Sequence, residues 1–288
     1  MPPTASDVRL AVWGDPIDHS RSPQLHRAAY DVLGLDWEYG RRRVDEDEFS
    51  GAVAGLDASW RGLSLTMPLK GVAWRGAATR DRHAELTGAV NTYLFAADGP
   101  RGFNTDVGGL VRDLRERGFD GIDYARIVGA GKTATSALVA LAELGVAEVE
   151  VVLRRFSAVA PLQALGDELG VSVMPVPFFT DALAAAPLTV AALPGGVRIS
   201  EDAAAMLAAC GGALYDVVYG HWPSSLALAW ERVGAPAWDG LGMLLQQAVL
   251  QVRVFSAGSA DEPLDDEPAV IAAMHAALAA GDAAAMGD

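Results

Sequence analysis

A short glycine-containing stretch near the middle of the chain could bind phosphate. It reads Gly129-Ala130-Gly131-Lys132-Thr133-Ala134 and follows a strand-like run at residues 123–128. Glycines at its first and third positions permit a tight turn and let backbone N–H groups approach a pyrophosphate at the start of the next helix. Ala134 fits the close-packing position of such a turn. The pattern predicts that residues 129–134 bind a dinucleotide.

Two arginines indicate which dinucleotide is expected. Arg154 and Arg155 follow the apolar run 149–153, where dinucleotide-binding folds place an acid for NAD or an arginine for the 2′-phosphate of NADP. No acid stands at this point, so NADP is predicted. The alternative is a solvated strand end that binds no ligand. The stretch Gly131-Lys132-Thr133 also resembles the end of a P-loop, but that motif needs a glycine where Arg126 stands.

Two serines near the N-terminus could bind a carboxylate. Ser22 precedes Pro23, and together they are typical of a helix start with Ser22 as N-cap. Ser20 and Ser22 would then offer hydroxyl and N–H groups at the positive end of a helix. The alternative is a purely local turn and cap, which accounts for Ser22 better than for Ser20.

Three further polar residues stand at the ends of apolar segments. Lys70 follows the strand-like run 61–67, a place where open α/β sheets hold their ligands. It is one of only two lysines among twenty-two basic residues, the other being Lys132. Asn91 and Asp106 fall in segments that otherwise read as strands, although both residue types are poor strand formers. A helix cap is the alternative role for Asp106.

Composition excludes several classes of protein. The formal charge of −15 disfavours nucleic acid and anionic membranes as partners. Cys210 is the single cysteine, so an intrachain disulfide is impossible and a reducing cytoplasm is expected. Residues 1–4 lack the features of a signal peptide, and no apolar run reaches membrane-spanning length. The histidine spacing predicts no metal site.

The order of the segments predicts an α/β fold with two domains. The hairpin within it should turn at Asp98-Gly99. Strands are expected at residues 8–14, 37–44, 61–67, 89–95, 102–106, 123–128, 149–153, 171–176, 188–193 and 213–219, and helices at 23–33, 49–56, 107–117, 134–144, 161–169, 203–209 and along most of the tail from 240.

Seven blocks in this order make the chain resemble the shikimate dehydrogenase family over essentially its whole length. The blocks are residues 14–23 (GDPIDHSRSP), 65–70 (LTMPLK), 89–92 (AVNT), 104–106 (NTD), the glycine turn 129–134, 215–219 (YDVVY), and 240–244 (GLGML) with Gln247. The resemblance implies an N-terminal α/β substrate domain, a Rossmann NADP-binding domain, and C-terminal helices that return to the first domain. The corresponding boundaries are residues 1–106, 107–238 and 239–288.

The resemblance also implies a role for each matching residue. The substrate carboxylate would be held by Ser20, Ser22 and Tyr219. Ring hydroxyls would be bound by Thr66, Asn91, Asp106 and Gln247. Lys70 and Asp106 would form the catalytic pair, and Gly240 and Met243 would contact the cofactor.

Several positions depart from the family pattern. Ser64 replaces the usual asparagine, Phe103 replaces a polar residue, Lys132 replaces a frequent glycine, and Leu193-Pro194 replaces a hydroxyl-bearing pair. Leu153-Arg154-Arg155 replaces the common Asn-Arg-Thr and keeps the central arginine. The cofactor end is therefore altered more than the substrate end.

Three functions follow from these observations. The first is reversible, NADPH-dependent reduction of 3-dehydroshikimate to shikimate in aromatic amino-acid biosynthesis, by a monomer or homodimer. The second is a quinate/shikimate dehydrogenase or a paralogue acting on a related polyhydroxy carboxylate. The third is a non-catalytic regulator that binds the cofactor, which the presence of both Lys70 and Asp106 disfavours.

Overall fold

The computed structural model describes residues 8–178, 183–220 and 222–285, with side chains to residue 280. The predicted absence of a signal peptide at residues 1–4 concerns positions outside these ranges. None of the helices described is long and apolar enough to cross a membrane. No group of three or more potential metal ligands is found among the same residues.

The described residues form two compact units. Described residues up to Thr105 and from Leu245 onward contribute to the first unit, and those from Asp106 to Leu244 form the second. The unit boundary therefore falls within the helix that begins at Leu241. The functional division of the chain at residues 106 and 238 stays a prediction.

The first part of the chain alternates strands and short helices. Its elements are β1 (Val8–Gly14), α1 (Ser22–Leu33), β2 (Trp37–Arg43), α2 (Glu46–Ala54), β3 (Trp60–Leu65), α3 (Lys70–Gly76), β4 (Thr79–Arg80), α4 (Arg82–Thr87), β5 (Thr92–Ala96) and β6 (Gly99–Phe103).

The middle of the chain builds the second unit, and two helices close the sequence. The elements are α5 (Thr105–Glu116), β7 (Tyr124–Val128), α6 (Lys132–Glu143), β8 (Glu148–Leu153), α7 (Ala160–Leu169), β9 (Ser172–Pro177), β10 (Leu188–Ala191), α8 (Glu201–Ala209), β11 (Ala213–Asp216), α9 (Ser225–Arg232), β12 (Ala237–Trp238), α10 (Leu241–Ala257) and α11 (Glu267–Ala285).

The sheet of the first unit is mixed, with strand order β2-β1-β3-β5-β6-β4. β1 runs parallel to β2 and β3, and the hairpin β5–β6 is antiparallel, with Ala96 opposite Gly99. Its core includes Trp13, which is fully buried and meets Phe49 edge-on. Helix α11 lies against α1, where Gln24 Nε2 donates to the Ala277 carbonyl at 3.2 Å.

The sheet of the second unit is parallel, with order β9-β8-β7-β10-β11-β12. Numbered within the unit, this is the 3-2-1-4-5-6 order of a Rossmann fold. Ligands of such sheets bind at the carboxyl ends of the strands, where the strand order reverses. That reversal lies between β7 and β10, and the glycine turn at residues 129–131 directly follows β7.

Some element boundaries differ from those predicted. Ser22 is the first residue of α1 and does not cap it, because Arg21 holds the N-cap position. Asn91 precedes β5 and Asp106 lies in the first turn of α5, so neither stands in a strand. β11 ends at Asp216, three residues early, and the Asp216 carboxylate accepts the Val218 N–H at 3.2 Å.

A buried ion pair joins two strands of the Rossmann sheet. Arg126 on β7 stands opposite Glu150 on β8, and its Nε and Nη2 lie 3.0 and 2.8 Å from Glu150 Oε2. Both side chains are buried, and Arg126 Nη2 also donates to the Ala184 carbonyl. Because both ions have left water, loss of either partner leaves an unpaired buried charge.

We therefore expect Glu150→Gln to lower the free energy of unfolding by about 3 kcal/mol, the scale for breaking a buried pair. Urea unfolding followed by tryptophan fluorescence measures this change. Glu148→Gln is the matched control, because Glu148 is exposed on the same strand. Equal losses in the two variants would contradict the importance of the buried pair.

Candidate active site

The glycine turn has the geometry expected for a nucleotide cradle. Gly129 has φ +115°, and a Cβ atom there would lie 2.8 Å from the Ala192 carbonyl oxygen, so only glycine fits. Gly131 has an ordinary φ of −90° and a Cβ there would meet nothing within 4 Å. The fold itself thus does not require glycine at 131, whereas close approach of a phosphate to the backbone would. Ala134 is fully buried, as its packing role predicts.

The other predicted cofactor residues line the same turn and the neighbouring strand end. Lys132 opens α6 and is exposed, while Ala130 and Thr133 are partly exposed. No side chain of the residues described caps the start of α6. Its first N–H groups and positive dipole end are therefore suited to an anion. Arg154 and Arg155 are exposed directly after β8.

In the first unit, the loop after β3 places Thr66 and Lys70. The Thr66 N–H donates to the Trp13 carbonyl at 3.0 Å, which fixes the loop against β1. Lys70 is the first residue of α3, and its carbonyl accepts the Val90 N–H at 3.0 Å. Lys70 is therefore tied directly to the segment that carries Asn91. Both Thr66 and Lys70 are partly exposed.

Asn91 is the centre of a cluster of buried polar groups. Its side-chain oxygen accepts from the Thr92 hydroxyl at 2.8 Å and from the Thr105 N–H at 2.9 Å. Its side-chain nitrogen donates to Thr105 Oγ1 at 2.9 Å, and Gln247 Oε1 lies 3.5 Å away. The amide is held at both ends, so its orientation is fixed. The structure thus brings together Asn91 and Gln247, two predicted substrate ligands.

A second set of buried polar groups links Asn91 to the start of α1. Gln251 Nε2 donates to the Asn91 carbonyl at 3.2 Å, which leaves its Oε1 to accept from Ser64 Oγ at 2.8 Å. The Ser64 hydroxyl donates its only proton to Gln251, so its oxygen accepts the hydrogen bond from the Tyr39 hydroxyl at 2.6 Å. Tyr39 can then only accept from Ser22, whose side chain is hydrogen-bonded to it. The hydrogen bonds therefore run in one direction, from Ser22 to Asn91.

His26 joins this chain from α1. Its Nε2 lies 3.2 Å from Gln251 Oε1, which can only accept, so Nε2 carries the proton. The Tyr30 hydroxyl then donates to Nδ1 at 3.2 Å. The imidazole stacks on the Tyr39 ring at 4.0 Å between centroids. Burial lowers the pKa of His26 to about 3 and raises the pKa of Tyr39, so both stay neutral at physiological pH.

Of the two N-terminal serines, Ser20 makes a local turn and Ser22 lacks the predicted capping role. Ser20 Oγ accepts the Ser22 N–H at 3.4 Å, which is the serine turn expected of the purely local alternative. Ser22 is buried and bonded to Tyr39, so it is not a helix cap. Both serines stand at the N-terminus of α1, where the helix dipole favours an anion.

The remaining predicted residues belong to the second unit. Asp106 is buried in the first turn of α5, and Tyr219 is half-buried beyond the end of β11. Gly240 precedes α10, and Met243 is buried in its first turn.

Sequence reasoning missed several residues of the polar cluster, among them His26 and the three that follow. Gln251 follows Gln247 by four positions on α10, so the two share a helix face, and that spacing was the available signal. Thr105 directly precedes Asp106 in the NTD block, so its position in that block was the available signal. Tyr39 carries no short-range signal, because its partners Ser22 and Ser64 lie on other elements.

A Rossmann sheet with a glycine turn and a second α/β unit with a buried polar cluster are typical of a two-domain, nucleotide-dependent dehydrogenase. Residues 12–93 match the family model described as the shikimate dehydrogenase substrate binding domain. Shikimate dehydrogenase (NADP(+)) of Alkalilimnicola ehrlichii is 37% identical over 251 residues, which are 83% of this chain and 90% of the relative.

Solved structures of shikimate dehydrogenases are also similar to this chain. Shikimate dehydrogenase of Mycobacterium tuberculosis is 39% identical with a TM-score of 0.82, covering 93% of this chain and 99% of that one. Shikimate 5-dehydrogenase of Thermus thermophilus, in complex with NADP(H) and shikimate, is 28% identical with a TM-score of 0.76, covering 94% and 99%. The chain belongs to the shikimate dehydrogenase family. The predicted family and α/β fold class are confirmed.

The buried histidine makes a testable contribution to stability. Between pH 6.5 and about pH 3 the unfolded state binds a proton at His26 that the folded state does not. Stability is therefore complete above pH 6.5 and falls as the pH falls below it, by about 2 kcal/mol at pH 5. Urea unfolding at pH 7 and pH 5 measures the loss, which His26→Gln should largely abolish.

His275→Gln is the control, because His275 is exposed on α11, and this variant should keep the parent's pH dependence. An unchanged pH dependence in His26→Gln would show that another group is responsible.

Proposed function

We propose that this protein catalyses the reversible, NADPH-dependent reduction of 3-dehydroshikimate to shikimate. Membership of the family supports the reaction, and the relatives named above carry that activity in their names. The observation that carries the proposal is the bond between the Lys70 carbonyl and the Val90 N–H. It ties the backbone of Lys70 to the residue before Asn91, and reduction of a ring ketone needs both a proton donor and groups that orient the ring.

The substrate carboxylate is assigned to Ser20, Ser22 and Tyr219. Ser20 accepts the Ser22 N–H, so its own hydroxyl proton can go to the carboxylate. The Ser22 hydroxyl donates to Tyr39 in this structure. To bind the carboxylate, the Ser22 hydroxyl would rotate and donate to it instead, while Tyr39 keeps its hydrogen bond to Ser64. The dipole of α1 adds a favourable field for the anion.

Ring hydroxyls are assigned to Thr66, Asn91, Asp106 and Gln247. The carboxamides of Asn91 and Gln247 can donate to or accept from a hydroxyl, whereas a carboxylate such as that of Asp106 only accepts. Fixed orientation of these groups discriminates between neighbouring ring positions. The Asn91 amide is already held by Thr105, so little conformational entropy is lost when it binds a ligand.

Proton transfer is assigned to Lys70, with Asp106 as its partner. When bound, NADPH supplies the hydride. Negative charge then develops on the ketone oxygen, where the Lys70 ammonium stabilises it and delivers a proton. The buried Asp106 carboxylate would hold the ammonium and orient the substrate hydroxyl.

NADP is assigned to the glycine turn and the two arginines. Gly131 leaves room for a pyrophosphate at the N-terminus of α6, and Ala130, Lys132 and Thr133 surround the same place. Arg154 and Arg155 offer exposed guanidinium groups to the 2′-phosphate at the end of β8. Gly240 and Met243 are assigned to the cofactor through their block in the family pattern.

A cytoplasmic location, with the protein as a monomer or homodimer, completes the proposal. Cys210 is a free thiol and the only cysteine, so the fold depends on no intrachain disulfide and is compatible with a reducing compartment.

Substitution of Lys70 is the direct test of the reaction. Lys70→Ala should lower kcat by about 100-fold or more, the scale for losing a positioned acid or base. Lys70→Arg should recover little, because arginine keeps the charge but does not readily release a proton. Reduction of 3-dehydroshikimate is followed through the absorbance of NADPH, with quinate and NADP as a second substrate pair. Lys70→Arg turning over at close to the parent rate would rule out proton transfer by this lysine.

Cofactor choice is tested at the end of β8. Arg154→Asp should narrow or reverse the preference for NADP over NAD, because the carboxylate repels the 2′-phosphate and can bind the 2′-hydroxyl. The ratio of kcat/KM for NADP and NAD measures this preference. Arg232→Asp is a matched control, with the same charge change at an exposed site on α9. Equal or better use of NAD by the parent protein would contradict the assignment.

A further inference from the structure

The start of α10 is confined by two groups of the second unit. We call residues Gly240–Met243 the α10 turn. A Cβ atom at Gly240 would lie 2.1 Å from the Val217 carbonyl oxygen. A Cβ atom at Gly242 would lie 2.3 Å from both carboxylate oxygens of Asp113. The backbone of the turn therefore rests directly on the β11–α9 connection and on the Asp113 carboxylate, and only glycine permits this approach.

One phenol holds this turn in place. The Met243 N–H donates to the Tyr215 hydroxyl oxygen at 2.9 Å, and the Tyr215 hydroxyl donates to Asp113 Oδ2 at 2.5 Å. Asp113 also accepts from Arg117 Nε at 3.1 Å. Tyr215 and Asp113 are both buried, on β11 and α5 respectively. A side chain from β11, the strand next to the edge strand β12, thus links the first turn of α10 to α5.

The Tyr215 hydroxyl can donate a hydrogen bond to only one of its two partners. A carboxylate can only accept and a backbone N–H can only donate, so the phenol must donate to Asp113 and accept from Met243. Burial, followed by the negative charge of Asp113, raises the pKa of Tyr215, so the hydroxyl keeps its proton. Phenylalanine at this position would leave both Asp113 and the Met243 N–H without this partner in a buried place.

We propose that Tyr215 and Asp113 are positioning residues for the cofactor, which they do not touch and on which they act through the α10 turn. The inference rests on the proposed function, because Gly240 and Met243 are assigned to the cofactor there. It assigns roles to a tyrosine and an aspartate that lie outside the residues proposed to contact substrate or NADP.

The experiment compares two buried tyrosines. Tyr215→Phe should raise the dissociation constant for NADP by about tenfold, as expected for a contact surface displaced by an unsatisfied buried group. The KM for shikimate should stay within a factor of two. Tyr93→Phe is the matched control, because the Tyr93 hydroxyl is equally buried but donates to the Ala73 carbonyl in the other unit. It should lower the melting temperature and leave NADP binding unchanged.

NADP binding is measured by calorimetry on the full chain, so it does not depend on turnover. Asp113→Asn is the second variant, because its amide oxygen still accepts from Tyr215, and it should weaken NADP binding less than Tyr215→Phe does. Unchanged NADP affinity in Tyr215→Phe, with a loss of melting temperature like that of Tyr93→Phe, would overturn the positioning role. If Tyr215→Phe does not fold, unchanged affinity in Asp113→Asn would overturn it. Failure of the parent protein to bind NADP would instead overturn the proposed function.

Discussion

The backbone carbonyl of Asn91 sets the direction of the hydrogen bonds in the first unit. A carbonyl can only accept, so the Gln251 amide must present its nitrogen there and its oxygen to Ser64 and His26. The donor and the acceptor of each further hydrogen bond are then fixed, from Ser64 through Tyr39 to the hydroxyl of Ser22. Ser22 and Asn91, two of the proposed ligands, are therefore preorganised by one buried network, and an unmatched group anywhere in it is costly.

The second unit offers mainly backbone groups to its proposed ligand, whereas the first unit offers side chains. Gly129 makes the tight turn after β7, Gly131 leaves its backbone exposed at the start of α6, and the dipole of α6 supplies the positive field. Few side chains are needed for this, which is consistent with departures from the family pattern at Lys132 and at residues 193–194. The arrangement tolerates changes of sequence so long as the backbone conformation survives.

Sequence was sufficient for features that depend on neighbours along the chain. The glycine turn, the hairpin of β5 and β6 and the position of Lys70 at the end of a strand-like run all follow from local patterns, although the hairpin turns at residues 97–98, one position before the predicted Asp98-Gly99. Features that depend on distant partners were missed or misread. Ser22 is a sound N-cap by local rules, yet its hydroxyl is bonded to Tyr39 on the next strand. Gln251 lies 187 residues from Ser64, so no pattern within a short window could join them.

The first unit is assembled from two chain segments that flank the whole of the second. On the ribosome, β1 to β6 are synthesised long before α10. The hydrogen bond of His26 to Gln251 cannot form until that residue, 225 positions later, has been synthesised. The second unit is continuous and can close as soon as it has been made. The order of synthesis should therefore differ from the order of folding, with the N-terminal sheet exposing its incomplete face until the last helices emerge.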